Sequence, residues 1–200
     1  AGVGNNPLAA QDTAATAPAQ GTPFRLRMLL HVASSTANIG DYNFKLQFAQ
    51  KSGSCDIGFS GESYADVATG SGVIRYYDNT TPTDGDLLVA TSTDPAHSSD
   101  TIVNQTYEEA NNFTITSTIA LGQDGKWDFS LVDNSAPAST DYCFRVVRSD
   151  NSLLETYSVI PEITTDAGGG GPSLTFAIDS ASVSFPALSP GTVVATSSIL

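Results

Sequence analysis

Short runs in which apolar and polar residues alternate recur along this chain, with the period of strands that bury one face. The clearest run covers residues 140–149. There Tyr142, Phe144 and Val146 fall on one side and Cys143, Arg145 and Val147 on the other, predicting a core face and a half-solvated outer face. Residues 42–51 repeat the pattern, with Tyr42, Phe44, Leu46 and Phe48 inward and Lys45, Gln47 and Ala49 outward. Residues 24–32 set Phe24, Leu26 and Met28 against Arg25 and Arg27, then become continuously apolar at Leu29 and Leu30. Further strands are predicted at 113–121, 127–132 and 153–160, with Asp124-Gly125 as a hairpin-type turn. Between residues 56 and 112 the signal weakens to short strands at 72–77 and 87–91 and one helical turn at 105–110.

These elements predict an all-β protein built as an antiparallel β-sandwich. Residues 1–22 are a polar, Ala/Thr/Pro-rich lead that composition alone would leave disordered. Residues 23–166 form the sandwich domain, and the Gly-rich stretch 167–172 reads as a linker. Residues 173–200 carry two or three short strands, too few for a stable unit by themselves, and so read as part of a second β-module or as a strand donor to a neighbour. The absence of an initial Met and of a basic-then-apolar leader suggests processing, or excision from a longer chain.

Charge narrows the classes of function. Twenty-one acidic residues against eight basic ones give a net charge of −13. Such a surface lacks the Lys/Arg footprint that a phosphate backbone requires, which excludes nucleic-acid binding. No apolar run reaches membrane-spanning length. Cys55 and Cys143 suit either two buried thiols or one disulfide. The disulfide is favoured, because closing so long a loop stabilises a fold by about 4–5 kcal/mol on the chain-entropy model and the composition resembles that of secreted β-proteins. An extracellular or cell-surface location follows as an expectation.

Chemistry-bearing residues are sparse. Asn79, Asn104 and Asn112 stand in N-x-S/T sequons and are glycosylation candidates. Asp78, Asn79, Asp84 and Asp86 offer hard oxygen ligands for Ca²⁺ without EF-hand spacing, so an ordinary turn is the stronger reading and no other cofactor is expected. His31 and His97 have no Cys/His partner at metal spacing and read as satisfied or solvated histidines. Glu108-Glu109 reads as a solvated helical turn rather than a carboxylate pair, since adjacent side chains diverge. With no nucleophile elbow, phosphate-binding loop or other catalytic signature, no enzyme activity is expected.

Leu131, Pro137, Thr140, Tyr142, Phe144, Arg145 and Val146 resemble the passage into the sixth strand of fibronectin type III and Ig-like sandwiches, and residues 42–48 look like their third strand. The resemblance implies a tyrosine-corner role for Tyr142, its hydroxyl closing the preceding loop. The chain departs from that family in a longer stretch between the third and fifth strands, an extended middle insertion, and in Cys143, which is adjacent to that tyrosine and so faces away from the core; a bond to Cys55 then joins neighbours within one sheet. A second likeness rests on residues 8–13, 24–27, 45–49, 105–113, 142–147 and 157–165. These resemble an uncharacterised module of very large surface proteins of candidate-phylum bacteria. It implies a surface or cell-envelope role and no activity. The polar lead and the short-stranded tail need partners of their own, which predicts a structural subunit of a filament or surface layer, its partners being other copies or adjacent modules and its termini making inter-subunit β contacts. The alternative is an adhesin or carbohydrate-binding module, with glycans as partners and an exposed platform built from Tyr64, Tyr76, Tyr77 and Tyr107.

Overall fold

The computed structural model describes residues 7–168, and the expectations for residues 173–200 lie outside the described residues. The strands in chain order are β1 (Ala15–Thr16), β2 (Pro23–His31), β3 (Asn43–Gln50), β4 (Ala65–Asp66), β5 (Ile74–Tyr76), β6 (Ile102–Glu108), β7 (Phe113–Thr114), β8 (Asp124–Asp133), β9 (Asp141–Arg148) and β10 (Glu162–Thr164). They form two facing sheets, and the described residues contain no helix.

The first sheet runs β1-β10-β9-β3, with β4 and β7 sharing the far edge of β3. The second is built on β8, which pairs antiparallel with β2 along its whole length. The other edge of β8 is divided between antiparallel β5 and parallel β6.

Alternation sets the core as expected. Phe44 and Leu46 of β3, Tyr142, Phe144 and Val146 of β9, and Trp127, Phe129 and Leu131 of β8 meet in one buried cluster. Phe113 sits among them, its ring centroid 5.0 Å from Phe129, 5.5 Å from Phe44 and 5.7 Å from Trp127. Tyr42 departs from the pattern: it lies just before β3, 38% exposed, with the Arg148 guanidinium 5.2 Å above its ring.

Several elements differ from the expectation. Asp124-Gly125 opens β8 instead of forming a turn, because both residues pair with β2 and with β6; a Cβ at position 125 would collide with Ile119 and come 2.6 Å from the Trp127 ring. The glycine is there to admit the indole. Residues 105–108 belong to β6 rather than to a helical turn, since β8 offers backbone partners and Gln105 and Tyr107 are buried. Residues 153–160 are irregular and are closed by Tyr157, whose hydroxyl donates to the Val146 carbonyl at 2.7 Å and accepts from the Leu154 amide at 3.1 Å. Of 113–121 only the first two residues are strand, and residues 87–91 contribute one bridge, Leu87 to Thr106.

The lead is ordered over its described part. β1 pairs parallel with β10, Ala17 enters the core, and the Gln11 amide exchanges hydrogen bonds with both backbone groups of Ala96 at 2.8 and 2.9 Å. A sheet edge supplies backbone partners that the lead's composition cannot reveal.

Cys55 and Cys143 form the disulfide, with Cα atoms 5.5 Å apart. The bond does not cross the sandwich, since Cys143 alternates with the core residues Tyr142 and Phe144. Cys55 is in the irregular stretch after β3 rather than in a neighbouring strand, so the bridge ties a loop onto the outer face of β9. That face is covered, not half-solvated, and Cys143 and Val147 are fully buried. Arg145 completes the cover, its guanidinium 4.0 Å from the Tyr64 ring centroid and 4.6 Å from that of Phe59, with hydrogen bonds to Gln47 Oε1 at 2.8 and 3.0 Å.

Tyr142 packs against Phe48 at 6.0 Å, and its hydroxyl makes none of the hydrogen bonds among the described residues. The loop before β9 is closed instead by Thr165, whose Oγ1 accepts from the Thr140 amide at 2.9 Å and donates to the Pro137 carbonyl at 2.6 Å. Replacing Cys55 and Cys143 together by serine is expected to lower unfolding free energy by about 4 kcal/mol, read from chemical denaturation of the double variant against the oxidised chain. An unchanged midpoint would refute a stabilising role for the bridge.

Candidate metal centre

Strand β8 is buried on both faces. Its core face is apolar, while the opposite face carries Asp124, Lys126, Asp128 and Ser130 in succession, all essentially inaccessible. Burying such groups is costly unless each finds a partner. The partners come from β2 and from the long connection between β5 and β6. Ser130 Oγ accepts from Asn79 Nδ2 at 2.7 Å. Asp128 receives Arg25 at 2.8 Å and Arg27 through two nitrogens at 2.6 and 2.8 Å. Lys126 donates to Asp94 at 2.7 Å and to the Val89 carbonyl at 3.2 Å. Asp94 also receives Arg27 at 2.8 Å. Burial by itself would raise the Asp94 carboxyl, but bonds from Lys126 and Thr91 outweigh it and hold the group below its ordinary value.

At the end of this ladder stands Asp124. Its Oδ1 lies 2.9 Å from His31 Nδ1 and 3.3 Å from His97 Nδ1. Asp100 Oδ2 lies 3.4 Å and 3.1 Å from the same two nitrogens. Register explains the first pairing, since His31 is opposite Asp124 in the β2–β8 ladder. Two backbone bonds bring in the rest, from the Asp100 amide to the His97 carbonyl at 3.0 Å and from the Asp124 amide to the Thr101 carbonyl at 3.1 Å. The imidazoles meet edge to face, with centroids 4.9 Å apart. The Asp124 side chain is wholly buried, whereas those of Asp100, His31 and His97 are 24%, 36% and 50% exposed, so the cluster has a buried floor and an open top. Among the described residues this is the one group of three or more His, Cys, Asp or Glu whose ligand atoms all lie within 4.8 Å of one another.

Sequence reasoning missed this group because its members stand at positions 31, 97, 100 and 124, with no motif spacing; only the i,i+3 pair His97 and Asp100 was locally visible. The Ca²⁺ candidates Asp78, Asp84 and Asp86 form no such cluster. Asp84 Oδ1 accepts the Glu109 amide and Asp86 Oδ2 the Thr83 amide, each at 2.7 Å, so both carboxylates serve the local backbone. Asn79 is buried with its side-chain nitrogen donating to Ser130 and to the Tyr107 hydroxyl, which removes it as a glycan acceptor in the folded chain. Asn104 is half-buried on β6, and Asn112 is exposed at a turn. The tyrosine platform does not form: Tyr76 and Tyr107 are 1% exposed, and Tyr64 is occupied by Arg145.

Glu108 and Glu109 are buried, not solvated: Glu108 ends β6, which pairs with β8, and Glu109 accepts from the Asn79 amide at 2.8 Å. Burial pushes the Glu108 carboxyl up to about 7, against the hydrogen bond from Thr106 and with help from the Asp84 charge. Compared with known proteins, the chain matches no family model, no curated protein and no solved structure.

Two outcomes follow. Asp128→Ala leaves two partly buried guanidinium groups without their common partner and is expected to cost about 3–5 kcal/mol in denaturant unfolding. Lys126→Met leaves Asp94 paired with Arg27, so its cost should be clearly smaller; equal losses would contradict the ladder. For Glu108, the folded chain holds the proton more tightly than the unfolded chain. The stabilising contribution is therefore complete below the unfolded value of 4.5 and is lost as pH rises through about 7. Glu108→Gln should thus match the parent at about pH 4 and exceed its stability by up to about 3 kcal/mol at about pH 8, checked by denaturation at both values.

Proposed function

We propose that this chain is a non-enzymatic structural module of an extracellular or cell-surface assembly, a filament or surface layer, in which chain segments beyond the sandwich make β contacts to neighbouring copies. The observation that carries the reading is the free edge of β2. This nine-residue strand pairs with β8 on one side and with no other strand among the described residues. Its inward residues Leu26, Met28 and Leu30 are only partly buried and line a groove of about 1280 Å³ shared with residues 154–163. An open edge beside apolar side chains is a template for strand addition.

Three further points support the reading. A disulfide suits an oxidising compartment. No helix among the described residues is long and apolar enough to cross a membrane. The likeness of residues 142–147 and 157–165 to modules of large bacterial surface proteins points the same way. The test is light scattering and electron-microscope imaging of the 200-residue chain beside a version ending at Gly168. The longer chain is expected to associate and the shorter one to stay monomeric. A longer chain that remains monomeric at every concentration would overturn the proposal.

A further inference from the structure

We propose that His31, His97, Asp100 and Asp124 bind one divalent first-row transition-metal ion of the Zn²⁺ class, which clamps the segment carrying His97 and Asp100 onto the β2–β8 corner. The site is independent of the assembly reading.

Geometry comes first. A tetrahedron of ligands about 2.0–2.1 Å from a metal has edges of about 3.3 Å. The four imidazole-to-carboxylate distances run from 2.9 to 3.4 Å. Each nitrogen is near both carboxylates, and each carboxylate near both nitrogens. A hydrogen-bonded His–Asp pair requires one such approach, not four to a common centre.

Donor chemistry selects the class of ion. Two imidazole nitrogens with two carboxylate oxygens suit Zn²⁺, Co²⁺ or Ni²⁺, whereas Ca²⁺ takes six to eight oxygens at longer distances. Four protein ligands complete the coordination of a structural site.

An independent observation also points to a ligand. Asp124 Oδ2 is buried and has no hydrogen-bond partner, although the residue is wholly inaccessible. A buried carboxylate oxygen left without a partner is costly. A cation bound to the same carboxylate offsets that cost. The excess of 21 acidic over eight basic residues adds a long-range attraction for cations.

The clamp follows from connectivity. His97 and Asp100 belong to the segment whose Asp94 caps Lys126 and whose Ala96 holds Gln11 of the lead. Fixing residues 97 and 100 to Asp124 therefore also fastens the cover over the buried face of β8.

The experiment uses the full chain after chelation, titrated calorimetrically with Zn²⁺, Co²⁺ and Ca²⁺. One equivalent of Zn²⁺ should bind, Co²⁺ should give the visible bands of a four-coordinate ion, and Ca²⁺ should not compete. His97→Gln and Asp100→Asn alter partly exposed side chains and should leave the folded circular dichroism unchanged. Each should weaken Zn²⁺ binding by at least about tenfold, since even changes to the groups around metal ligands cost that much. Zn²⁺ should also raise amide-exchange protection across residues 94–101 in the parent but not in the variants. Because the chain has only two histidines, Zn²⁺ affinity that survives His97→Gln unchanged would place the ion elsewhere and overturn the proposal. So would the absence of one-to-one binding in the parent, or loading that leaves exchange across 94–101 unaltered.

Discussion

The physical constraint on which the rest of this structure depends is the double burial of β8. A strand buried on both faces ordinarily presents apolar residues to both. Here one face is Trp127, Phe129 and Leu131, while the other is Asp124, Lys126, Asp128 and Ser130. The apolar face draws the two sheets together. The polar face is stable only so far as its groups are met, because an unpartnered buried charge costs a large share of a domain's stability. The long connection between β5 and β6 is therefore part of the fold. Asn79, Val89, Asp94 and His97 reach down from it, and Arg25, Arg27 and His31 reach across from β2.

The outer face of the other sheet is closed by different means. Over β9 the cover is held by the Cys55–Cys143 bond and by Arg145 between two aromatic rings. Both covers are irregular chain, and both are anchored to a central strand at positions far away in sequence. The disulfide spans 88 positions, and the Asn79–Ser130 contact spans 51. Neither cover has secondary structure of its own to hold it, so side-chain anchors take that part. The metal proposal extends the same logic to the last rung, where Asp124 is met by two imidazoles and a second carboxylate rather than by a fixed positive charge.

Much of the core was legible because it obeys a local rule. Phe44, Leu46, Tyr142, Phe144 and Val146 alternate with residues of the opposite face, and alternation needs no knowledge of what packs against it. Reading failed where a local cue competed with tertiary demand. Asp124-Gly125 has the composition of a hairpin turn, yet the glycine makes room for Trp127 and the aspartate starts the ladder. Glu108-Glu109 has the composition of a solvated turn, yet pairing of β6 with β8 buries the first and the connection carrying Asn79 meets the second. The face of Cys143 read as half-solvated because nothing in residues 51–64 announces that they fold over it.

The sequence by itself determined the fold class, the faces of the main strands and the one pair of cysteines able to bond, because each follows from residue type and a period of two. Only the tertiary structure decided which polar residues are buried and which of them meet. His31 and Asp124 are 93 residues apart, and His97 and Asp124 are 27 apart; their convergence depends on strand register and on the path of a loop. Such pairings carry no periodic trace in the chain, since each is satisfied once, by a partner that hydrophobic patterning does not encode.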